Sequence, residues 1–173
     1  MKRRLKVDLA DLAVAFEGSR TERSYYLNPE SGEVILVTDE MTSISEEVSE
    51  AAERESVEFD EALAASGHPD WMKEAAAQVA DVEQRFGETI IDVPQDESRD
   101  AFRDMEEFAE SLSNAGIREL LLRALSGGCP FRRFKDAIAA YPQEEQRWFA
   151  FRDQRLRRRV LDWLEEAGIE PID

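Results

Sequence analysis

The fold is decided by residues 24–38, which read SYYLNPESGEVILVT. Two short β-prone runs, residues 24–28 and 33–38, flank a sequence typical of a turn. Pro29 presets φ for a turn, and Gly32 supplies a residue that adopts the left-handed conformation without strain. The stretch therefore predicts an antiparallel β-hairpin in which these two runs pair.

A third strand is expected to join this sheet. Residues 89–93 read TIIDV and are closed by Pro94, which is typical of a short strand and its end. Within the hairpin, residues 34–37 are apolar on both faces. This strand is therefore expected to be covered on two sides or to be central in the sheet.

Helical patterns occupy most of the remaining chain. Before the hairpin, Asp8 can cap a short helix whose apolar residues share one face. These residues are Leu9, Leu12, Ala13 and Phe16. Another helix is expected from Asp70, its cap, to Gly87, where it stops. Its predicted apolar face comprises Trp71, Ala75, Val79, Val82 and Phe86.

Residues 39–61 are the most acidic part of the chain. They hold ten acidic residues and one Arg, and their apolar positions are sparse. So little apolar surface offsets little of the entropy lost on ordering. We therefore expect a weak helix within an exposed loop, or partial disorder.

Together these patterns predict an α+β fold dominated by helices. Its 173 residues fit a single domain, residues 1–173. Residues 1–94 would hold the N-terminal helix, the small antiparallel sheet and the acidic segment. Everything after Pro94 has helical patterns, so residues 95–173 would form a C-terminal bundle of about four helices.

The charge is large and unevenly distributed. The formal net charge is −17, and 35% of the residues are charged. Residues 1–128 carry all of it, whereas residues 129–173 hold nine basic and nine acidic residues. Such a field repels nucleic-acid phosphates and anionic membranes at long range. A nucleic-acid partner is therefore not expected.

Several classes of site and location are excluded by simple counts. Cys129 is the only cysteine and His68 the only histidine, so neither an internal disulfide nor a Cys/His zinc site can form. The basic N-terminus lacks the apolar region of a secretory signal, and no run approaches the ~18 apolar residues of a membrane span. We expect a cytoplasmic protein with no membrane partner, no metal and no cofactor.

Several sequence blocks resemble a known family. Residues 126–136 read SGGCPFRRFKD, and Trp148-Phe149, Phe151-Arg152-Asp153 and Arg155-Leu156 follow. With Trp163-Leu164-Glu165-Glu166, Gly168-Ile169 and the hairpin, they resemble the bacterial uncharacterised protein family 0158 (UPF 0158). The resemblance extends over nearly the whole chain. It implies a fold and a bacterial source but no activity. Cys129 stands where a small residue such as Ala is expected, which argues against a thiol role.

Basic residues near the C-terminus form the predicted binding surface. Four residues of the last predicted helix are spaced to share one face. They are Trp148, Arg152, Arg155 and Arg159. The adjacent apolar stripe, expected to face the core, comprises Phe149, Leu156, Val160 and Trp163. The preceding helix adds Arg132, Arg133 and Lys135. Guanidinium groups beside an indole suit phosphate, carboxylate or a stacked base.

Two interpretations of this surface stay open. In the first, it binds an external partner, and the Arg tips are at least half exposed. In the second, the Arg residues pair with carboxylates of the same chain, such as Asp136, Asp153 or Asp162. The high acidic content favours the second interpretation.

Two other groups of residues are weaker candidates for a functional site. Cys129 stands at a predicted helix N-terminus, where the dipole favours a thiolate, but no general base is evident beside it. We therefore expect it to be buried or half-buried. Four carboxylates share one helix face, where a divalent cation could bind, but a solvated face is the simpler interpretation. They are Asp100, Asp104, Glu107 and Glu110. No catalytic residue is predicted.

Three functions from different classes follow. The first is a non-enzymatic protein-interaction or regulatory domain, with an acidic surface and a C-terminal Arg/aromatic contact surface. The second is a nucleic-acid-associated or anion-binding protein that uses the Arg stripe, which the net charge disfavours. The third is an enzyme of unknown type. The expected partner is another protein, and the sequence leaves the oligomeric state open.

Overall fold

The structure of the protein is a computed structural model that describes residues 1–17, 22–95 and 98–172. The elements of the first half are β1 (Arg3–Lys6), α1 (Leu9–Glu17), β2 (Arg23–Leu27), β3 (Val34–Thr38), α2 (Asp39–Glu55), α3 (Phe59–Ala65) and α4 (Asp70–Arg85). Those of the second half are β4 (Ile91–Asp92), α5 (Ser98–Ser111), α6 (Ala115–Leu125), α7 (Pro130–Ile138), α8 (Pro142–Glu166) and β5 (Ile169–Ile172). The predicted helix-dominated α+β class is confirmed.

The chain divides into two compact units. The N-terminal unit comprises Met1–Gln95 and Leu164–Asp173, and the helical unit comprises Asp96–Trp163. The boundary lies next to the predicted change from the sheet region to the helical bundle at residues 94–95. The last ten residues, however, belong to the N-terminal unit. That residues 1–173 form one domain stays a prediction.

The predicted hairpin is confirmed. β2 and β3 pair antiparallel, with Leu27 opposite Val34. In the turn, Asn28 Oδ1 accepts a hydrogen bond from the Glu30 amide at 2.9 Å, and the Gly32 amide donates to the Asn28 carbonyl at 2.8 Å. Gly32 has a φ of +80°, the left-handed conformation that glycine adopts without strain.

The predicted third strand also joins this sheet. β4 pairs antiparallel with β2, so the strand order is β3-β2-β4. The expectation that residues 34–37 are covered on two sides or central is wrong. β3 lies at the edge and exposes Leu36, because β2 pairs on both sides and takes the centre.

A parallel strand pair joins the two ends of the chain, which the sequence did not predict. Arg3 of β1 pairs with Ile169 of β5, and the Arg3 amide donates to the Gly168 carbonyl at 2.8 Å. Beside this pair, the hydrogen bond and charge of Lys2 lower the pKa of Glu165. Because the folded-state pKa is lowered, this pair stabilises the fold above the usual carboxyl pKa. Its contribution is lost as the pH falls through the lowered value.

The acidic segment forms α2 and the start of α3, which corrects the expectation of a weak helix in a loop or partial disorder. Thr38 caps α2, its hydroxyl accepting a hydrogen bond from the Met41 amide at 3.2 Å. Ile44, Val48 and Ala52 recur every four residues and are buried. They form one core cluster with buried residues of α3 and α4, namely Ala62, Leu63 and Ala76. Three aliphatic residues at this spacing therefore suffice to bury one face of α2.

α4 lies where the sequence places it, but its buried face differs. Ala76, Val79 and Val82 are buried, whereas Trp71 and Phe86 are exposed. Asp70 is the first helical residue, and Pro69 holds the N-cap position without a side-chain hydrogen bond. Buried residues of α4, β3 and the turn before β4 form one core cluster of the N-terminal unit. They are Val79, Val82, Ile35, Val37 and Ile90.

The helical unit contains the four predicted helices. Its core takes buried side chains from α5 to α8. They include Met105, Phe108, Leu112, Leu121, Leu125, Phe134, Ile138 and Trp148. Asn114 caps α6 by accepting a hydrogen bond from the Ile117 amide at 3.1 Å. α7 begins at Pro130, as predicted, because proline suits the first helical turn.

Replacing Gly32→Ala should destabilise the protein. A Cβ at Gly32 would stand 2.0 Å from the Lys6 carbonyl oxygen, and its φ of +80° strains other residues. We expect a loss of about 3 kcal/mol in urea unfolding. Gly67→Ala is the matched control, because Gly67 also has positive φ but nothing lies within 4 Å of its Cβ position. Equal losses of stability in the two variants would show that the close approach of the Lys6 carbonyl to Gly32 has no effect.

Replacing Val48→Ala should test the order of α2. Val48 is buried at the centre of the α2 face, so a cavity should cost about 2 kcal/mol in thermal or urea unfolding. Glu46→Ala, at an exposed position of the same helix, should change stability by less than about 0.5 kcal/mol. If the segment were a loop, both variants would be equally stable.

Candidate functional site

α7 exposes a row of cations, which we call the basic face: Arg132, Arg133 and Lys135. The opposite side of α7 is apolar, and Phe134 and Ile138 are buried. Arg132 Nε lies 3.9 Å from Asp136 Oδ2, and both side chains are largely exposed. An exposed pair at this distance stabilises little, so the charge of Arg132 stays available to a ligand.

Arg133 also has a structural contact. Its guanidinium lies against Gly127, where a Cβ would stand 1.7 Å from Arg133 Nη1. The Gly127-Gly128 break therefore does more than end α6, since the lack of a side chain at Gly127 makes room for Arg133. Within the basic face, this contact with a glycine is made by Arg133 and by neither Arg132 nor Lys135.

Trp148 does not belong to an exposed stripe, which corrects the sequence prediction. Its side chain is 3% exposed. Its ring lies 5.1 Å from that of Phe134, 5.4 Å from that of Phe108 and 6.2 Å from that of Phe151. Phe149, assigned to the core stripe, is exposed instead. The indole is therefore a core residue and cannot stack on a ligand.

The burial of Trp148 leaves the Arg stripe of α8 only partly exposed. The exposed fractions of the Arg152, Arg155 and Arg159 side chains are 40%, 42% and 25%. All three exposed fractions are below one half, the minimum that the binding interpretation predicts. The stripe flanks the buried face because Leu156 and Val160, with Trp148, occupy that face.

Two residues of the stripe pair with carboxylates of α5. Arg159 Nη2 donates to Asp104 Oδ2 at 2.6 Å, and the Asp104 side chain is only 4% exposed. Arg155 Nη2 donates to Glu107 Oε2, and its guanidinium carbon lies 4.8 Å from the Phe151 ring centre. These two pairs support the structural interpretation for this part of the stripe. Both carboxylates belong to the row on α5 for which the sequence indicated a solvated face or a cation site.

The remaining stripe residue, Arg152, has a different neighbourhood. Its Nη2 lies 3.6 Å from Asp153 Oδ1, and its guanidinium carbon lies 5.8 Å from the Phe149 ring centre. Asp153 is one of the carboxylates that the sequence offered as an internal partner. Exposed neighbours of this kind contribute at most about 1 kcal/mol.

Cys129 is exposed, which corrects the expectation of a buried or half-buried thiol. It holds the N-cap position of α7 with a φ of +52° and makes no side-chain capping hydrogen bond. Within residues 1–17, 22–95 and 98–172, no three His, Cys, Asp or Glu side chains form a group suited to a metal ion. In the same ranges, no helix combines the length and apolar character needed to cross a membrane.

A groove with the only histidine is a feature that sequence reasoning missed. It has a volume of about 310 Å³ and is lined by α2, α3 and the residues after α3. His68 Nε2 lies 3.6 Å from Glu47 Oε2, and Arg54 and Glu55 complete the charged rim. In the sequence, only the spacing of Glu47, Arg54 and Glu55 on one helix could have indicated this groove. The same spacing is found on any helix face that is exposed to solvent.

These features define an acidic, helix-dominated α+β protein with a basic face on its helical unit. Residues 88–173 match the description "Uncharacterised protein family (UPF0158)". Over residues 88–173 the chain is therefore similar to this family. The match contains the whole basic face and all of α8, and the predicted resemblance is confirmed there.

A UPF0158 protein of Pseudomonas aeruginosa is 34% identical to the chain over 67 residues. The alignment covers 39% of this chain and 44% of that relative, and a bacterial relative fits the implied source. No solved structure matches the chain significantly. The likeness of the N-terminal hairpin to the family stays a prediction.

Replacing Arg159→Gln should destabilise the helical unit, because it leaves the Asp104 carboxylate buried without its guanidinium partner. We expect a loss of about 2–3 kcal/mol in chemical unfolding. Arg157→Gln, on the exposed side of α8, is the control and should cost less than about 0.5 kcal/mol. Indistinguishable unfolding midpoints would show that the Arg159–Asp104 pair is not structural.

Proposed function

We propose that this protein is a cytoplasmic, non-enzymatic interaction domain that binds an acidic segment of another protein through the basic face of α7. The observation that carries the proposal is the contrast between α7 and α8. Arg155 and Arg159 of α8 are held by Glu107 and Asp104. The cations of α7, by contrast, are exposed and weakly paired.

The cations of α7 have few carboxylate partners among the described residues. Among the described residues, neither Arg133 nor Lys135 has a carboxylate within 4.0 Å, and the Arg132–Asp136 pair is 3.9 Å long. An external carboxylate would therefore meet cations that are not tightly held by carboxylates of the same chain. Arginine forks bind carboxylates bidentately, which adds direction to the attraction.

The two units differ in net charge. The N-terminal unit holds 9 basic and 26 acidic residues, a net of −17. The helical unit holds 13 of each and is neutral. Solution ions screen exposed charges beyond about 8 Å. A short acidic peptide therefore responds chiefly to the local cations, whereas a long polyanion meets more of the total charge.

Binding of nucleic-acid phosphate by the same face is the second candidate. The neutrality of the helical unit favours it, since the charge that disfavours a nucleic-acid partner lies in the other unit. Phosphate binding by Lys and Arg is strongly salt-dependent and largely insensitive to sequence. A single set of variants distinguishes the two candidates.

The double variant Arg132→Gln/Lys135→Gln should lose partner binding and keep its stability. Both side chains are exposed, and Gln is a good helix former, so the melting temperature should change by less than about 2 °C. Immobilised wild type and variant are exposed to bacterial lysate, and the retained proteins are identified by mass spectrometry. The amount of retained partner should fall at least about tenfold, which corresponds to a loss of about 1.4 kcal/mol in binding free energy.

The matched control is Arg157→Gln/Arg158→Gln, which removes the same charge from exposed positions of α8. It should retain the partner. Equal capture by both double variants would overturn the proposal. A fluorescent single-stranded oligonucleotide that binds the wild type and the control, but not the α7 variant, would favour the nucleic-acid candidate instead.

A further inference from the structure

The outer side of β3 is an open strand edge in the N-terminal unit. The strand order β3-β2-β4 gives β3 a single strand neighbour among the described residues. Its residues, Val34–Thr38, include no proline, glycine or charged residue, and their register with β2 is continuous, without a bulge. Natural proteins commonly protect a sheet edge with a lysine, a proline or a bulge. β3 carries none of these devices.

The ladder determines which backbone groups point to the open edge. The Asp39 amide, directly after β3, donates to the Glu22 carbonyl at 3.2 Å and so faces β2. In an antiparallel pair, residues whose amide and carbonyl bond to the neighbouring strand alternate with residues whose amide and carbonyl point away. Leu36 and Val34 lie an odd number of positions before Asp39. Their amides and carbonyls therefore point to the outer edge.

These outward groups have no partner in the described part of the chain. Within residues 1–17, 22–95 and 98–172, neither the amide nor the carbonyl of Val34 or Leu36 forms a hydrogen bond. The Thr38 carbonyl, next in the same row, accepts from the Thr42 hydroxyl at 3.1 Å. Leu36 is 36% exposed, and Val34 is partly exposed. Unpaired backbone groups beside an exposed leucine form a template for an added strand.

The charge around this edge favours a basic strand over a second copy of the chain. Glu33 precedes β3, Asp39 and Glu40 follow it, and all three are exposed. Two copies paired about a two-fold axis at Leu36 would place Glu33 opposite Asp39 in the other copy, and like charges directly opposite are destabilising. They would also bring together two units of net charge −17. A strand with basic residues at both ends meets opposite charge instead.

We propose that the outer edge of β3 binds an extended segment of another protein as an added strand, and that this segment has apolar residues between basic ones. The outward amides and carbonyls of Val34 and Leu36 supply the backbone hydrogen bonds, and the Leu36 side chain contacts an apolar residue of the segment. The carboxylates of Glu33, Asp39 and Glu40 attract the flanking cations. The site does not depend on the proposed function of the basic face of α7, which repels such a segment.

The test is a titration of the full chain with peptides, followed by amide NMR shifts and hydrogen exchange. The probe, acetyl-KKTVIVTKK-amide, has a β-prone centre and basic ends. A control peptide with N-methyl groups on the central VIV keeps the charge and loses backbone donors, and acetyl-EETVIVTEE-amide reverses the charge. The probe should bind saturably and slow exchange of the Val34 and Leu36 amides. Both control peptides should bind at least about tenfold more weakly.

Leu36→Lys places a cation at the centre of the edge, as natural sheets do to prevent pairing, and should weaken probe binding at least about tenfold. Leu120→Lys is the matched control, because Leu120 is 37% exposed and lies in the helical unit. It should bind the probe as the wild type does. Melting curves establish that both variants are folded, and the wild-type titrations decide alone if Leu36→Lys does not fold.

Several outcomes would overturn the proposal. They are equal binding of the N-methylated peptide, equal or stronger binding of the acidic peptide, shifts spread over the acidic helices, and unchanged affinity in folded Leu36→Lys. Dimerisation of the wild type that Leu36→Lys abolishes would assign the edge to a second copy of the chain and would overturn the proposal as well.

Discussion

The rotation of α8 about its axis is fixed by the burial of Trp148 against the rings of Phe108, Phe134 and Phe151. This contact determines which cations of the helical unit are available. With Trp148 inside, Arg155 and Arg159 reach the carboxylates of α5, and Phe149 is exposed. α7 packs on the same indole through Phe134 and thereby exposes its basic face. The candidate binding surface is thus a consequence of aromatic packing in the core.

The two units differ in charge as well as in architecture. All of the net charge of −17 belongs to the N-terminal unit, where α2, α3 and α4 expose most of their carboxylates. The stability of α2 comes from a narrow apolar stripe and not from charge pairing, because residues 39–61 hold ten acidic residues and one Arg. The cations of α7 therefore belong to the unit that has no net charge.

Local sequence signals were sufficient wherever a few adjacent residues fix the backbone. Pro29 and Gly32 determine the hairpin turn, Asp8 caps α1 through its Oδ1, and Pro130 begins α7. The same signals failed for α2, where the abundance of carboxylates concealed the spacing of Ile44, Val48 and Ala52. Charge density is a poor guide to disorder when the apolar residues that remain share one face.

By itself, the sequence determined the α+β class, the hairpin with its third strand, the four C-terminal helices and the resemblance to the family. These depend on periodicity and turn chemistry over short stretches. The tertiary structure was needed to establish which face of α8 is buried and that β1 pairs with β5. On α8 the apolar and cationic stripes are adjacent, so a small rotation exchanges them. Strand pairs and grooves join residues far apart in the chain, and local periodicity carries no information about such contacts.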